Sequence, residues 1–472
     1  MTANMTAKRD GKWTARMAQK SARMLGLDGA IAYTVLARAS SIVGSVGTVL
    51  LIVRYLNPME QGYYYTLLSL LNLQIVFELG FSFVIQQFAA HESAHLSFGP
   101  DGRIEGDPTA HARLASILRK TIRWYMGAAI LLAVTLIPAG VVFFSRQSHP
   151  GDHVAWQSPW IVTAACCAVL FFLNPIGCFL DGCGEIRQVA RMRFAQAALG
   201  IMAAWGALIA HRGLYSPALV IVAYVATAMV FLWTRRRLLL GLLQYHSGRD
   251  AISWRDEVWS FQWKLGLSSL FSYFAVQVFT PALFAIRGPA EAGKMGMSAS
   301  IAGYLWTVVL AWTSTKATPF GQWIARGEFD RLDRSYFRTL RQSVVVLAVL
   351  VGLCMAGILG AQHLFPKLAA RMVSPPLFAL LLLTSVSTLI LQGQAIYLRA
   401  HKREPFLVQS FIVAVFTLAG IYLLVPRWGL SGSVMTYFTC TGFIGLALAT
   451  IVFQKWRRDE HQARDVALVV RG

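Results

Sequence analysis

The chain has 472 residues, 56% of them hydrophobic and only 14% charged, with a mean hydropathy of +0.53. No single core of this size could hide so much apolar surface, so a water-soluble globular domain is excluded. The net charge of +21 then points to anionic lipid headgroups and to membrane orientation, not to nucleic acid.

Residues 1–29 form a basic leader. Trp13, Met17 and Met24 share one helical face, with Lys12, Arg16 and Arg23 elsewhere on it. That pattern fits a short helix on the membrane surface or a disordered basic tail. The first apolar run begins only near Ala30 and no small-residue cleavage pattern follows, so no cleavable signal peptide is expected.

From there, apolar runs long enough to cross a bilayer recur to the end of the chain. Six spans are expected near Ala30–Leu56, Gly62–Gln86, Ile122–Ser145, Gln157–Leu180, Val189–Ala210 and Tyr215–Thr234. Six more are expected near Trp259–Ile286, Gly293–Thr318, Leu340–Ala361, Pro376–Leu398, Pro405–Pro426 and Gly429–Trp456. The expected fold is an all-α polytopic membrane protein of twelve transmembrane helices in two six-helix lobes. The lobes are residues 30–234 and 259–456, with a linker at 235–258 and a tail at 457–472. With the N-terminus placed in the cytoplasm, 34 of the 43 Lys and Arg residues fall on that side and 8 on the other, with Arg38 inside span one. Positive loops are retained in the cytoplasm, so both termini are expected there.

The two halves carry a repeat. "NPMEQGY" stands between spans one and two, and "GPAEAGK" between spans seven and eight; both read P-x-E-x-G, 231 positions apart. Arg113-Leu114 before span three matches Arg331-Leu332 before span nine, 218 positions apart. Six spans is an even number, so the copies are parallel repeats around a central cavity, an arrangement suited to alternating access.

Charges inside spans are costly and need a partner or water. Arg38 on span one and Glu78 on span two each lie about 12 Å from the cytoplasmic end at 1.5 Å per residue, so an ion pair between them is expected. Arg38 continues as a polar stripe through Ser41, Ser45 and Thr48, and Glu78 sits on the stripe Gln74, Ser82 and Gln86. Glu78 reads as a structural partner and Arg38 as the candidate for an anionic substrate. Lys264 on span seven and Lys316 near the end of span eight are the second half's candidate cavity cations, with snorkelling to the interface as the plainer account. The six cysteines read as small core residues, and no metal-ligand or Ser-His-Asp constellation is evident. His91, His95 and His111 read as solvated loop residues. No phosphate-binding loop of the G-x-x-x-x-G-K type occurs, so ATP hydrolysis by this chain is not expected.

Several motifs, taken together in order, resemble one family. "YLNPMEQGYYY" is similar to its turn after span one, through Pro58 and Gly62; "FELGF" to its acidic-Leu-Gly motif, through Glu78, Leu79 and Gly80. "FLDGCGEI" supplies Gly182 and Gly184 after span four; "YLRAHKREPF" supplies Arg399; "LVPRWGLSGS" supplies Pro426, Gly429 and Gly432. From about Ala30 to Trp456 the chain resembles the Wzx-type O-antigen and exopolysaccharide flippases of the multidrug/oligosaccharidyl-lipid/polysaccharide (MOP) exporter superfamily. The resemblance implies a cofactor-free transporter in the bacterial inner membrane. Its substrate would be an undecaprenyl-diphosphate-linked oligosaccharide moved to the periplasmic leaflet, with a polysaccharide polymerase and chain-length machinery as partners. Span seven departs from the pattern: neutral residues such as Gln277 stand where an acid is often found. A cation-exporting relative of the same superfamily is the alternative, although Glu78 is the one clear intramembrane acid here. A peptidoglycan-precursor flippase normally has helices beyond twelve. A membrane-embedded glycan-modifying enzyme generally needs an external domain, and the longest external loop here is only about Arg146–Gln157.

Overall fold

A computed structural model describes residues 40, 44–78, 80–99, 104–147, 154–245, 259–314, 316, 320, 323–324, 328–401 and 406–471. It is an all-α polytopic membrane protein. Among the described residues seven helices are long and apolar enough to cross a bilayer, and eight if one bent pair counts as a single span. Broken and shorter helices fill the remaining expected positions.

In the first lobe, span one is described over Gly44–Tyr55. Span two was expected as one helix and is three: Pro58–Leu71, Gln74–Glu78 and Phe81–Ser93. Asn72 and Leu73 form the first break, and Gly80, with φ +71, stands at the second. Span three, Pro108–Gln147, has 40 residues. At 1.5 Å per residue it is about twice as long as a ~30 Å hydrocarbon core is thick, so its first turns stand outside the membrane. Spans four, five and six are Gln157–Gly182, Ile186–Ile209 and Ser216–Thr234. Trp160 anchors the third and fourth together: it is fully buried, its Nε1 donates to the Ile137 carbonyl at 3.0 Å, and only a glycine at 140 leaves room for its indole.

Two elements escaped the sequence reading. A small antiparallel hairpin, Leu96–Phe98 with Ile104–Gly106, lies in the polar loop between spans two and three. The linker begins with a helix, Arg236–Gln244, which buries Leu238 and Leu242 and packs against span three.

In the second lobe, span seven is bent by 41° where Gly266–Val276 meets Phe279–Arg287. Spans eight, nine and ten are Pro289–Ser314, Phe329–Leu364 and Pro375–Ala400. Spans eleven and twelve adjoin directly through a kink at Gly429, with φ +53 and ψ −128, a conformation that glycine alone adopts readily. Span twelve continues through a seven-residue π-helical stretch, Phe438–Ile444, into Gly445–Arg471. Its last turns make the expected tail helical.

The lobes meet chiefly through span two, whose first segment packs on span eight and on the second piece of span seven, and whose middle segment touches the first piece of span seven. From Phe81 onward, span two packs instead on spans three and four of its own lobe. The lobes are therefore joined at the end that holds the duplicated turns.

Candidate functional site: the space between the lobes

The duplicated turn explains the joined end. In each copy the proline opens a helix, where its missing N–H costs nothing. Glu60 accepts from Asn57 N at 2.9 Å, closing a capping box with Asn57 Oδ1 and Glu60 N at 2.8 Å. Its counterpart Glu291 ties a different turn, accepting from Leu430 N just past the Gly429 kink at 3.1 Å. The two glycines face each other across the lobes. A Cβ on Gly62 would strike the Pro289 carbonyl, and one on Gly293 would lie 2.9 Å from Gly62 N. Gly296 gives the same clearance to Tyr65.

Around this backbone seam, Tyr63 of span two packs edge-on against Phe284 of span seven, with ring centroids 4.9 Å apart, and Phe143 and Phe144 of span three close on the same ring. Deeper along span two, Ser69 Oγ donates to the carbonyl of Gln277, the residue at which span seven breaks, and Tyr273 Oη donates to Ser69 O at 3.4 Å. The broken helix thus has its loose carbonyl satisfied from the other lobe, as irregular backbone at membrane depth requires. Ser45 of span one and Tyr304 of span eight also face each other across the lobes.

At the opposite end each lobe is tied to itself. Glu92 holds Arg113 at 2.8 Å, Asp181 accepts from Gln86 at 3.1 Å and lies 3.6 Å from Arg193, and Glu185 holds Arg235 at 2.8 Å. In the second lobe Asp333 accepts from Tyr397 at 2.6 Å and from Arg457 at 2.7 Å.

The residues singled out from the sequence fall as follows. Arg38, Ser41 and Leu79 lie outside the described residues, as do the leader and the second half of the linker, so the expected Arg38–Glu78 pair lies outside them too. Glu78 is half-buried and within electrostatic reach of Tyr125 and Cys178 on spans three and four. Its stripe points the same way: Gln74 accepts from Cys167 at 3.1 Å, Ser82 bonds Tyr125 Oη at 3.4 Å and Gln86 reaches Asp181. This stripe serves the first lobe's interior. Lys264 is exposed on the second turn of span seven, with its ammonium 5.8 Å from the Trp263 ring centroid. Lys316 is half-buried in the turn after span eight. The 231-residue register of the repeat places Lys264 opposite Tyr33, and Ser269 opposite Arg38, so the two expected cations are not equivalent positions.

Among the motif residues, Gly182 sits tight against the Gln86 carbonyl, Gly184 turns the chain with φ +91, and Gly432 approaches the Leu424 carbonyl. Arg399 is exposed at the end of span ten. His111 departs from expectation: it stacks on Tyr245 at 3.8 Å with Nε2 buried and without a partner among the described residues. Burial lowers its pKa from the usual 6.5.

No family model matches the sequence, and no curated protein matches it. Solved structures do. An inward-facing multidrug resistance MATE family transporter of the MOP superfamily superposes with a TM-score of 0.59 at 15% identity, covering 91% of this chain and 94% of its own. The lipid II flippase MurJ, in an inward closed conformation, gives 0.60 at 11% identity over 90% and 87%. A MOP superfamily transporter from Pyrococcus furiosus, described by the reverse polarity of its binding pocket, gives 0.51 at 14% identity over 92% and 93%. The chain has the fold of the MOP superfamily transporters. In that fold, two six-helix lobes flank a central space, and the duplicated turn of this chain marks where they touch.

Proposed function

We propose that this protein is a flippase of the bacterial inner membrane. It moves undecaprenyl-diphosphate-linked oligosaccharides from the cytoplasmic to the periplasmic leaflet by rocking its two lobes, supplying O-antigen or exopolysaccharide synthesis. Both termini are cytoplasmic in this reading, the lobes are residues 30–234 and 259–456, and a polymerase with its chain-length machinery takes the product. No covalent step is involved.

The observation that carries the reading is the placing of carboxylates on spans one, two, seven and eight, through which the lobes face each other. Among their described residues, Glu60 and Glu291 cap turns at the seam, Glu92 pairs with Arg113, and Glu78 lies against spans three and four. Three of the four are already engaged, which leaves Glu78 as the one described carboxylate on these spans that a cationic drug could meet. The candidate cations are Lys264, exposed on the second turn of span seven, and Arg38, the deepest basic residue in the sequence. A diphosphate crossing the bilayer interior needs fixed positive charge to replace its water. A guanidinium suits phosphate oxygens through its planar fork, while an ammonium acts as a point charge.

The test is surface polysaccharide in a strain lacking its own flippase, with membrane protein measured beside it. The expected result is restored export without gained drug resistance. Arg38→Lys should lower export, Arg38→Gln should lower it further, and Lys264→Gln should also reduce it. Normal export by both glutamine variants at normal abundance would overturn the site, and drug resistance without export would overturn the cargo.

A further inference from the structure

The seam between the lobes is symmetric in its backbone and one-sided in its bonds. Gly62, Gly293 and Gly296 let two helices approach with no side chain between them, which gives close contact but nothing directional. Beside these glycines, among the described residues, directional bonding between the lobes centres on Gln61 and Arg371, apart from the Ser69 contacts deeper along span two. Gln61, 1% exposed, donates from Nε2 to Gly293 O at 2.9 Å and to Arg371 O at 3.1 Å, and lies 3.4 Å from Met297 Sδ. Arg371, in the segment between spans nine and ten, donates through Nη1 to Gln61 Oε1 at 3.3 Å and through Nη2 to Leu56 O at 2.7 Å. Position 292, the repeat's counterpart of Gln61, is alanine and cannot answer.

We propose that Gln61 and Arg371 are a latch, and that this latch sets how strongly the lobes stay closed at the seam. The inference rests on the rocking motion proposed above. Its chemistry suits a bond that must open repeatedly. Arg371 bridges to neutral acceptors: an amide oxygen and a carbonyl just past the end of span one, where backbone oxygens lack helical partners and the helix dipole favours a cation. The nearby carboxylate, Glu60, is engaged in its own helix cap. Opening therefore frees a guanidinium to water and strands no buried anion, the costly outcome when a buried ion pair is broken. The glycine faces part without leaving a polar group unpaired. The latch bonds thus hold the seam in place, and the glycines fix its fit.

The experiment uses the full chain in lipid nanodiscs with a water-soluble maleimide as probe. Met297→Cys puts a reporter thiol at a fully buried seam position against Gln61, and the native Cys167 and Cys183, buried inside the first lobe, report any general loosening. Arg371→Ala removes two hydrogen bonds at the seam and Gln61→Ala three, so each should speed labelling at position 297 by on the order of ten-fold or more. Labelling of Cys167 and Cys183 should stay unchanged. Unchanged labelling at position 297 overturns the latch. Equal acceleration at all three thiols also overturns it, because the two residues would then serve the fold and not the gate. The readout needs no cargo. A working latch in a protein that exports no polysaccharide would sink the proposed function and leave the latch standing, and the reverse result would do the opposite.

Discussion

His111 shows what a single residue can hide. In the sequence it sits among polar loop residues, yet it stacks on Tyr245, whose carbonyl is held by Arg119 at 2.7 Å. That contact fastens the linker helix Arg236–Gln244 to span three. Burial favours the neutral ring, so the folded pKa lies below the unfolded value of 6.5. The contact is therefore fully stabilising above about pH 6.5 and weakens as pH falls through the lowered folded value. Amide exchange across Arg236–Gln244, corrected for its intrinsic pH dependence, should accelerate as pH falls below about 6.5. His111→Phe should keep the stack and abolish that acceleration; persistence of the pH effect in this variant would remove His111 as its cause. The charged candidates read from the sequence are of another kind. A charge in an apolar run is visible without a structure, because its cost is local. Its partner is not visible, because partnership depends on how helices are turned: spacing favoured a structural role for the Glu78 stripe but not its partners, and Gln74, Ser82 and Gln86 are bonded into their own lobe.

At the scale of elements, the spans were more legible than their breaks. Length and apolarity locate a crossing helix well. Span seven bends at Gln277 and Val278 because Pro281, four residues on, has no N–H to offer the Gln277 carbonyl, and Ser69 Oγ of the other lobe donates to that carbonyl instead. The hairpin beside Gly99–Pro100 carried turn residues in plain view, but its strands are only three residues each, too short for an alternating pattern to register. The kink between spans eleven and twelve is the opposite case, since Gly429 announced it. An alanine there would adopt a backbone conformation costing about 1–3 kcal/mol, and its Cβ would meet Glu291 Oε2 at 2.9 Å. Gly429→Ala is expected to lower the melting temperature of the purified protein, and Glu291→Ala, which strands Leu430 N, to lower it as well. A melting temperature unchanged by both would mean that the turn adds nothing to the second lobe.

For the whole molecule, the positive-inside asymmetry makes a prediction that the helices alone do not. Reporters active on only one side of the membrane, fused at Gly472 and within the Arg146–Gln157 loop, should place the former in the cytoplasm and the latter in the periplasm. A periplasmic signal at Gly472 would invert the topology, and with it the proposed direction of transport. The two-lobed plan was readable from the paired P-x-E-x-G turns, because duplication leaves the same residues at the same place in each half. That these turns touch was not readable, since nothing in a repeat says whether its copies face inward or outward. The close approach of Gly62 to Pro289 supplies that fact.

This contact also bears on how such a protein can change. In a symmetric dimer every substitution at the axis is made twice, so a bond there is gained or lost as a pair. Here the two half-units share one chain, with Gln61 on one side of the axis and Ala292 on the other. A single codon therefore alters one side of the seam and leaves its counterpart untouched, a finer adjustment than a self-assembling pair of identical halves could make.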